Sequence, residues 1–273
     1  MQMAGQQLDL FAIDRINVEP GDSPAQPPLR AGELTDAALI AALPDAGVTA
    51  APRLAAEASR RRLAGAVPSL EKLCRRLTGF GADRLVPEQL AALEALADIG
   101  GEAARQAIAR LLAQCIVQGP TVAAALNAAA RLGSSLPPSR LGEFLNDAEP
   151  TVRAAACRCA RSAGPHLGLL IKPLDDLHHE VAIAAALALG RIGRVEVRPL
   201  LLGLLRREPS AEIVDALARI ADEEVIVTFG RVARTIPDLA QPILDALDQL
   251  GDFRAARVAA ALRAHDSAHS GFA

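Results

Sequence analysis

The side chains able to do chemistry in this sequence of 273 residues are few and scattered. His179 and Glu180 stand together in "DDLHHEVA", an imidazole beside a carboxylate, both of them metal-ligand types. A single such pair at a helix start also reads as a capping acid next to an exposed histidine. Cys157 and Cys159 form a C-x-C. Residues two apart on a helix point to different faces, so this pair cannot grip one metal without partners, and no Cys/His cluster lies nearby. Cys157 continues the stripe of Val152 and Ala156, which reads as core. There is no G-x-S-x-G, Walker or dinucleotide fingerprint, and the G-x-x-G of "LGRIGR" (189–194) closes a helix without following a strand. The residues predict a non-enzyme with no cofactor and no metal site.

Charge offers a second chemistry. Between Arg53 and Arg84 there are eight basic side chains against three acidic ones, in a chain whose net charge is −3. Arg60, Arg61, Arg62, Lys72, Arg75 and Arg76 are its densest part. Lys72, Arg75 and Arg76 share one helical face by their i, i+3, i+4 spacing, opposite the stripe Val67, Leu70, Leu73, Cys74 and Leu77. Weak contact with a DNA phosphate backbone is the binding these six could supply. The alternative is the solvated polar face that a terminal repeat needs.

Whatever positions these groups must be built from small aliphatic side chains. Apolar residues make up 51% of the sequence but aromatics only 2%, with no Trp and no Tyr, so burial requires many closely packed Ala/Leu helices. The net charge excludes a generally basic nucleic-acid binder. Four irregularly spaced cysteines and the lack of a basic-then-apolar leader point to reduced thiols in a cytoplasm. The longest apolar run, Val181 to Leu189, is far shorter than the ~20 residues that span a bilayer, so no membrane is expected.

The helices recur. "VPEQLAALEALADIG" (86–100), "EPTVRAAACRCARSAG" (149–164) and "HHEVAIAAALALGRIG" (178–193) each open on a turn-like residue and carry apolar positions at helical spacing. Each also closes on a Gly suited to the left-handed residue after a helix. Landmark glycines fall at 65, 100, 133, 164, 193 and 251, with Ala221 standing in for one, at intervals of 28 to 35 residues. A second helical stretch follows each landmark, as in "EAARQAIARLLAQC" (102–115) and "EVRPLLLGLLRRE" (196–208). Two helices in roughly 30 residues define an α-solenoid.

The D-x-x-P-x-V-R-x-A-A run from Asp147 resembles the short HEAT-like repeat named after phycobilisome lyases, and 175–193 resembles the same unit without its Arg. Ankyrin and tetratricopeptide landmarks are missing. The resemblance covers about residues 50 to 264 and implies an all-α fold, a right-handed α-α superhelix of about seven two-helix repeats. The unit serves scaffolds, lyases and oxygenases alike. His179-Glu180 resembles the iron-binding pair of HEAT-repeat deoxyhypusine hydroxylases, where the pair recurs in several repeats. Here the equivalent positions are Pro150-Thr151, Pro120-Thr121 and Glu88-Gln89, which cannot complete such a centre. HEAT-like DNA glycosylases need aromatics around an extruded base, and this chain lacks Tyr and Trp.

The first residues are of another kind. Residues 1–32 read as a flexible tail, 33–264 as the solenoid and 265–273 as a disordered tail. Within the first, Gln7-Leu8-Asp9-Leu10-Phe11 precedes "INVEPGDSPAQPPLRAG", whose prolines cannot join a core. The pentapeptide resembles the bacterial sliding-clamp-binding motif at every position. That resemblance implies Leu10 and Phe11 in a deep apolar pocket, Gln7 hydrogen-bonded in a second subsite, Leu8 between them and Asp9 facing water. The other reading lays Leu8, Leu10 and Phe11, with Ile13 and Ile16, along the first repeat as a structural cap. The expectation is a protein-interaction scaffold, recruited to the clamp through Gln7–Phe11 or capped by that segment, with an enzyme of the lyase or hydroxylase kind as the remaining alternative.

Overall fold

The computed structural model describes residues 31–134, 136–160 and 166–270. Among them are fifteen α-helices and no strand. After α1 (Asp36–Ala42) the chain forms seven consecutive helix pairs. They are α2 (Ala51–Arg60) with α3 (Val67–Arg76), α4 (Pro87–Ile99) with α5 (Gly101–Ala113), and α6 (Thr121–Arg131) with α7 (Pro138–Leu145). Then come α8 (Pro150–Cys159) with α9 (Leu167–Ile171), and α10 (His179–Ile192) with α11 (Arg198–Arg207). The last two are α12 (Ala211–Ala218) with α13 (Glu223–Thr235), and α14 (Ala240–Gln249) with α15 (Phe253–Ser270). No helix among the described residues is long and apolar enough to cross a membrane.

Local chemistry sets the boundaries. Thr35, Ser210 and Asp222 cap α1, α12 and α13 through side-chain oxygens that accept from backbone N–H groups. Prolines sit in the first turn of α2, α3, α4, α7, α8 and α11, where the missing N–H costs nothing. Gly100, Gly133, Gly193 and Gly251 all take positive φ just after a helix, as the landmark pattern requires. Gly65 does not. Arg62, at φ 51°, turns the chain after α2 instead, and Gly65 lies in the short turn leading to α3, against Ile40. Gly164 lies outside the described residues.

The pairs stack as two rows. In the even-numbered row each helix from α2 to α14 packs on the next. The helices in the middle of this row are Ala-rich and the most covered, and in α10 every residue from Ala184 to Gly190 is buried. Small side chains let the backbones approach, to the point that a Cβ on Gly190 would lie 2.7 Å from Leu201 and 3.1 Å from the Cβ of Ala216. In the odd-numbered row the closest contacts between successive helices are α3 with α5 and α13 with α15. A groove opens on the even-numbered row.

Ion pairs staple successive repeats. Arg153 of α8 forks onto both carboxylate oxygens of Asp176 at 2.8 and 2.9 Å and donates to the carbonyls of Asp147 and Ala148 at 2.9 and 3.0 Å. The Asp and Arg of the repeat signature thus join one loop to the next. Asp176 also accepts from the His178 N–H, and its carboxyl is held far below the ordinary range, chiefly by Arg153. In the other row, Arg198 of α11 donates to the carbonyl of Ile220 and to Asp222, the cap of α13. The last helix runs on to Ser270, past the position 264 at which the sequence suggests the array ends.

Candidate functional site: an arginine-lined groove

The basic cluster is largely committed inside the fold. Arg60 and Arg61 both bind Glu57 at 2.6 Å, which lowers its carboxyl to about 2, Arg60 contributing most. Arg61 also reaches Asp36 and the carbonyls of Ala31, Gly32 and Leu34, pinning the segment before α1 onto α2. Arg75 bonds Glu71 and Gln114, each at 2.6 Å, and Arg76 donates to the carbonyl of Ala46. Glu71, pulled below its usual range first by Arg110, ties α3 to α5. Only Arg62 and Lys72 of the six make no ion pair or side-chain hydrogen bond among the described residues. They stand on different elements. The structure therefore does not assemble the six into one phosphate-facing set: Arg60, Arg61 and Arg75 meet acids of their own helices, and Arg61, Arg75 and Arg76 also reach groups contributed from elsewhere in the chain.

The other sequence candidates are placed as follows. Gln7, Leu8, Asp9, Leu10 and Phe11 lie outside the described residues. His179 and Glu180 are exposed in the first turn of α10. Among the described residues no three His, Cys, Asp or Glu side chains come together in a way that could hold a metal ion. Cys157 and Cys159 do point to different faces, but α8 is covered on both, so each is fully buried. Burial pushes the Cys157 thiol up to about 12, and the Cys159 thiol donates to the carbonyl of Leu126 at 3.0 Å.

What sequence reasoning missed is a groove on the even-numbered row, a hollow of about 740 Å³ across α6, α8, α10 and α12. Four arginines line it: Arg131, Arg158, Arg191 and Arg219, with Glu212 and Asp215 opposing. Arg131 pairs with Asp98 of α4, whose carboxyl is lowered chiefly by that arginine and also accepts from Ser59. Arg191 is shared between Asp215 at 3.3 Å and Glu212 at 3.6 Å. Arg158 meets only the uncharged amide oxygen of Asn127, at 3.1 Å, and Arg219 has no side-chain partner among the described residues. A second hollow of about 420 Å³ shares Arg158 and Glu212 as its wall and is floored by Ile183, Leu187 and Ile213. A signal did exist. Asp98, Arg131, Arg191 and Arg219 each stand two residues before a landmark, so the repeat carries them to equivalent places at the ends of α4, α6, α10 and α12.

Residues 138–221 match the family model for HEAT repeats. This stretch of the chain is made of HEAT-like repeats. It runs from α7 to the end of α12 and so includes three of the four groove arginines, and the helix pairs on either side continue the same two-row stack. No curated protein matches the chain.

Proposed function

We propose that the protein is a non-catalytic interaction scaffold, tethered to a bacterial replication sliding clamp through Gln7–Phe11. The observation that carries the scaffold reading is the unbroken stack of helix pairs with one groove crossing four consecutive helices of a row. Supporting the tether is the sequence order: a two-anchor motif, then a proline-rich stretch, then the solenoid. Leu10 and Phe11 would each contribute about 1.5–3 kcal/mol on burial, enough for micromolar binding after ordering costs. Of the basic cluster, Arg62 and Lys72 are left to meet a DNA phosphate, which makes any such contact weak.

The test is direct. A peptide from Gly5 to Asp14 should bind a bacterial sliding clamp with a Kd of about 1–10 μM. Leu10→Ala and Phe11→Ala should each weaken it about ten-fold or more, and Asp9→Ala little. A peptide that ignores the clamp, together with a full-length Phe11→Ala protein that melts several degrees lower, would make the segment a cap and leave the solenoid a scaffold without this tether.

A further inference from the structure

We infer that the arginine-lined groove is the docking site for an acidic segment of a partner protein, one in which carboxylates alternate with large aliphatic side chains. This rests on the scaffold reading and names the class of partner. Charge is left unmatched in the groove. Of the four arginines in the hollow, Arg131 and Arg191 are paired with acids, whereas Arg158 and Arg219 have no carboxylate at ion-pair distance among the described residues. A guanidinium facing a concave surface without an acid is a donor fork awaiting a carboxylate. Arg158 and Glu212 border both hollows, so a ligand whose carboxylates reach Arg158 and Arg219 lays its next side chains over Ile183, Leu187 and Ile213. These offer an apolar floor on which an aliphatic side chain can pack.

The same lining disfavours a nucleic acid. Glu212 and Asp215 stand in the first hollow and Glu180 and Glu208 in the second, so a phosphate chain following the groove would run against four carboxylates. Among the described residues no aromatic side chain lines either hollow to stack a base. A peptide can set its own charges to this alternation, placing carboxylates at the two arginines and uncharged side chains between the acids.

The experiment uses the full-length protein and a labelled peptide of about twelve residues in which glutamates alternate with leucines, at low salt. Fluorescence anisotropy should give a Kd of about 10–100 μM, weakening as salt rises. Arg158→Glu with Arg219→Glu should weaken binding about ten-fold or more, and the milder Arg158→Gln with Arg219→Gln should weaken it measurably without lowering the melting temperature. Ile183→Ser should weaken the leucine peptide but not one with serines in place of the leucines. Arg62→Glu with Lys72→Glu, away from the groove, should leave binding unchanged. Failure of the peptide to bind, binding indifferent to both arginine pairs, or a duplex DNA of similar length that binds more tightly and is lost in the same variants, would overturn the assignment. The clamp is titrated against the same variants. Clamp binding that survives while groove binding fails sinks the groove alone.

Discussion

Arg153 shows how much one side chain of the repeat signature does. It is about one-seventh exposed, forks onto Asp176 and satisfies two carbonyls of the loop before its own helix. Arg153→Met keeps the stem and removes the donors, leaving Asp176, itself about one-seventh exposed, without its guanidinium, and should cost about 2–3 kcal/mol by denaturant melts. The pair also sets a pH dependence. Asp176, Glu71 and Asp98 all have folded pKa values depressed by arginines. Such groups stabilise the fold fully above their unfolded values, near 4, and that stabilisation drains away as pH falls through the folded ones. The melting temperature should therefore hold between pH 7 and about 5 and drop below about 4, with a shallower drop in Asp176→Asn, which has no proton to gain. Thiols give an independent check. Burial pushes Cys74 and Cys157 up to about 12 and Cys159 is enclosed, whereas Cys115 is exposed. A thiol reagent at neutral pH should titrate Cys115 at once and the other three only on unfolding.

Helices of this array are held by how closely they approach, and two glycines separate that effect from intrinsic propensity. In the interior of a helix Gly→Ala gains up to about 1 kcal/mol if the methyl has room. Gly203 in α11 has nothing within 4 Å of the added Cβ, so Gly203→Ala should stabilise by about that amount. Gly190 in α10 faces Leu201 at 2.7 Å and, less yielding, the Cβ and carbonyl of Ala216 at 3.1 and 3.3 Å. There the methyl must push α10 from α12, and Gly190→Ala should lose about 1–3 kcal/mol. Thermal melts of the two variants should move in opposite directions. Equal stabilisation in both would mean that the even-numbered row is looser than the packing around Gly190 implies.

The architecture was legible because it repeats: each period spells its Ala/Leu stripe and most spell a terminal glycine, and four of those glycines bend the chain where the pattern placed them. The misplacement at Gly65 has a local cause, since Arg62 tolerates the left-handed turn and ends α2 early. The groove was harder to read, because its charges are balanced between repeats: Arg131 finds Asp98 at a separation of 33 residues and Arg158 finds Asn127 at 31. Helical spacing within one element shows none of this; it shows Glu71 one turn before Arg75, but not Gln114 and Ala46, the further partners of Arg75 and Arg76 that stand 39 and 30 residues away. Contacts that reach only neighbouring repeats also dictate how the molecule comes apart. Stability in such an array is a sum of repeat and nearest-neighbour contributions, so damage at one end should stay there. In α15 the buried residues Ala255, Ala259 and Leu262 pack with α13 and α14, where Val258 also lies against Gly230. Deleting residues 251–273 should uncover Phe229, Ile243 and Leu247. Hydrogen exchange should then quicken in α13 and α14, fade in effect through α12, and leave α4 to α8 as protected as in the full chain. Deleting only 265–273, beyond the last of those buried side chains, should change none of these rates. If instead the larger deletion loosened α4 to α8 to the same degree as α14, the helix pairs would form one all-or-none unit and the nearest-neighbour account of this solenoid would fail.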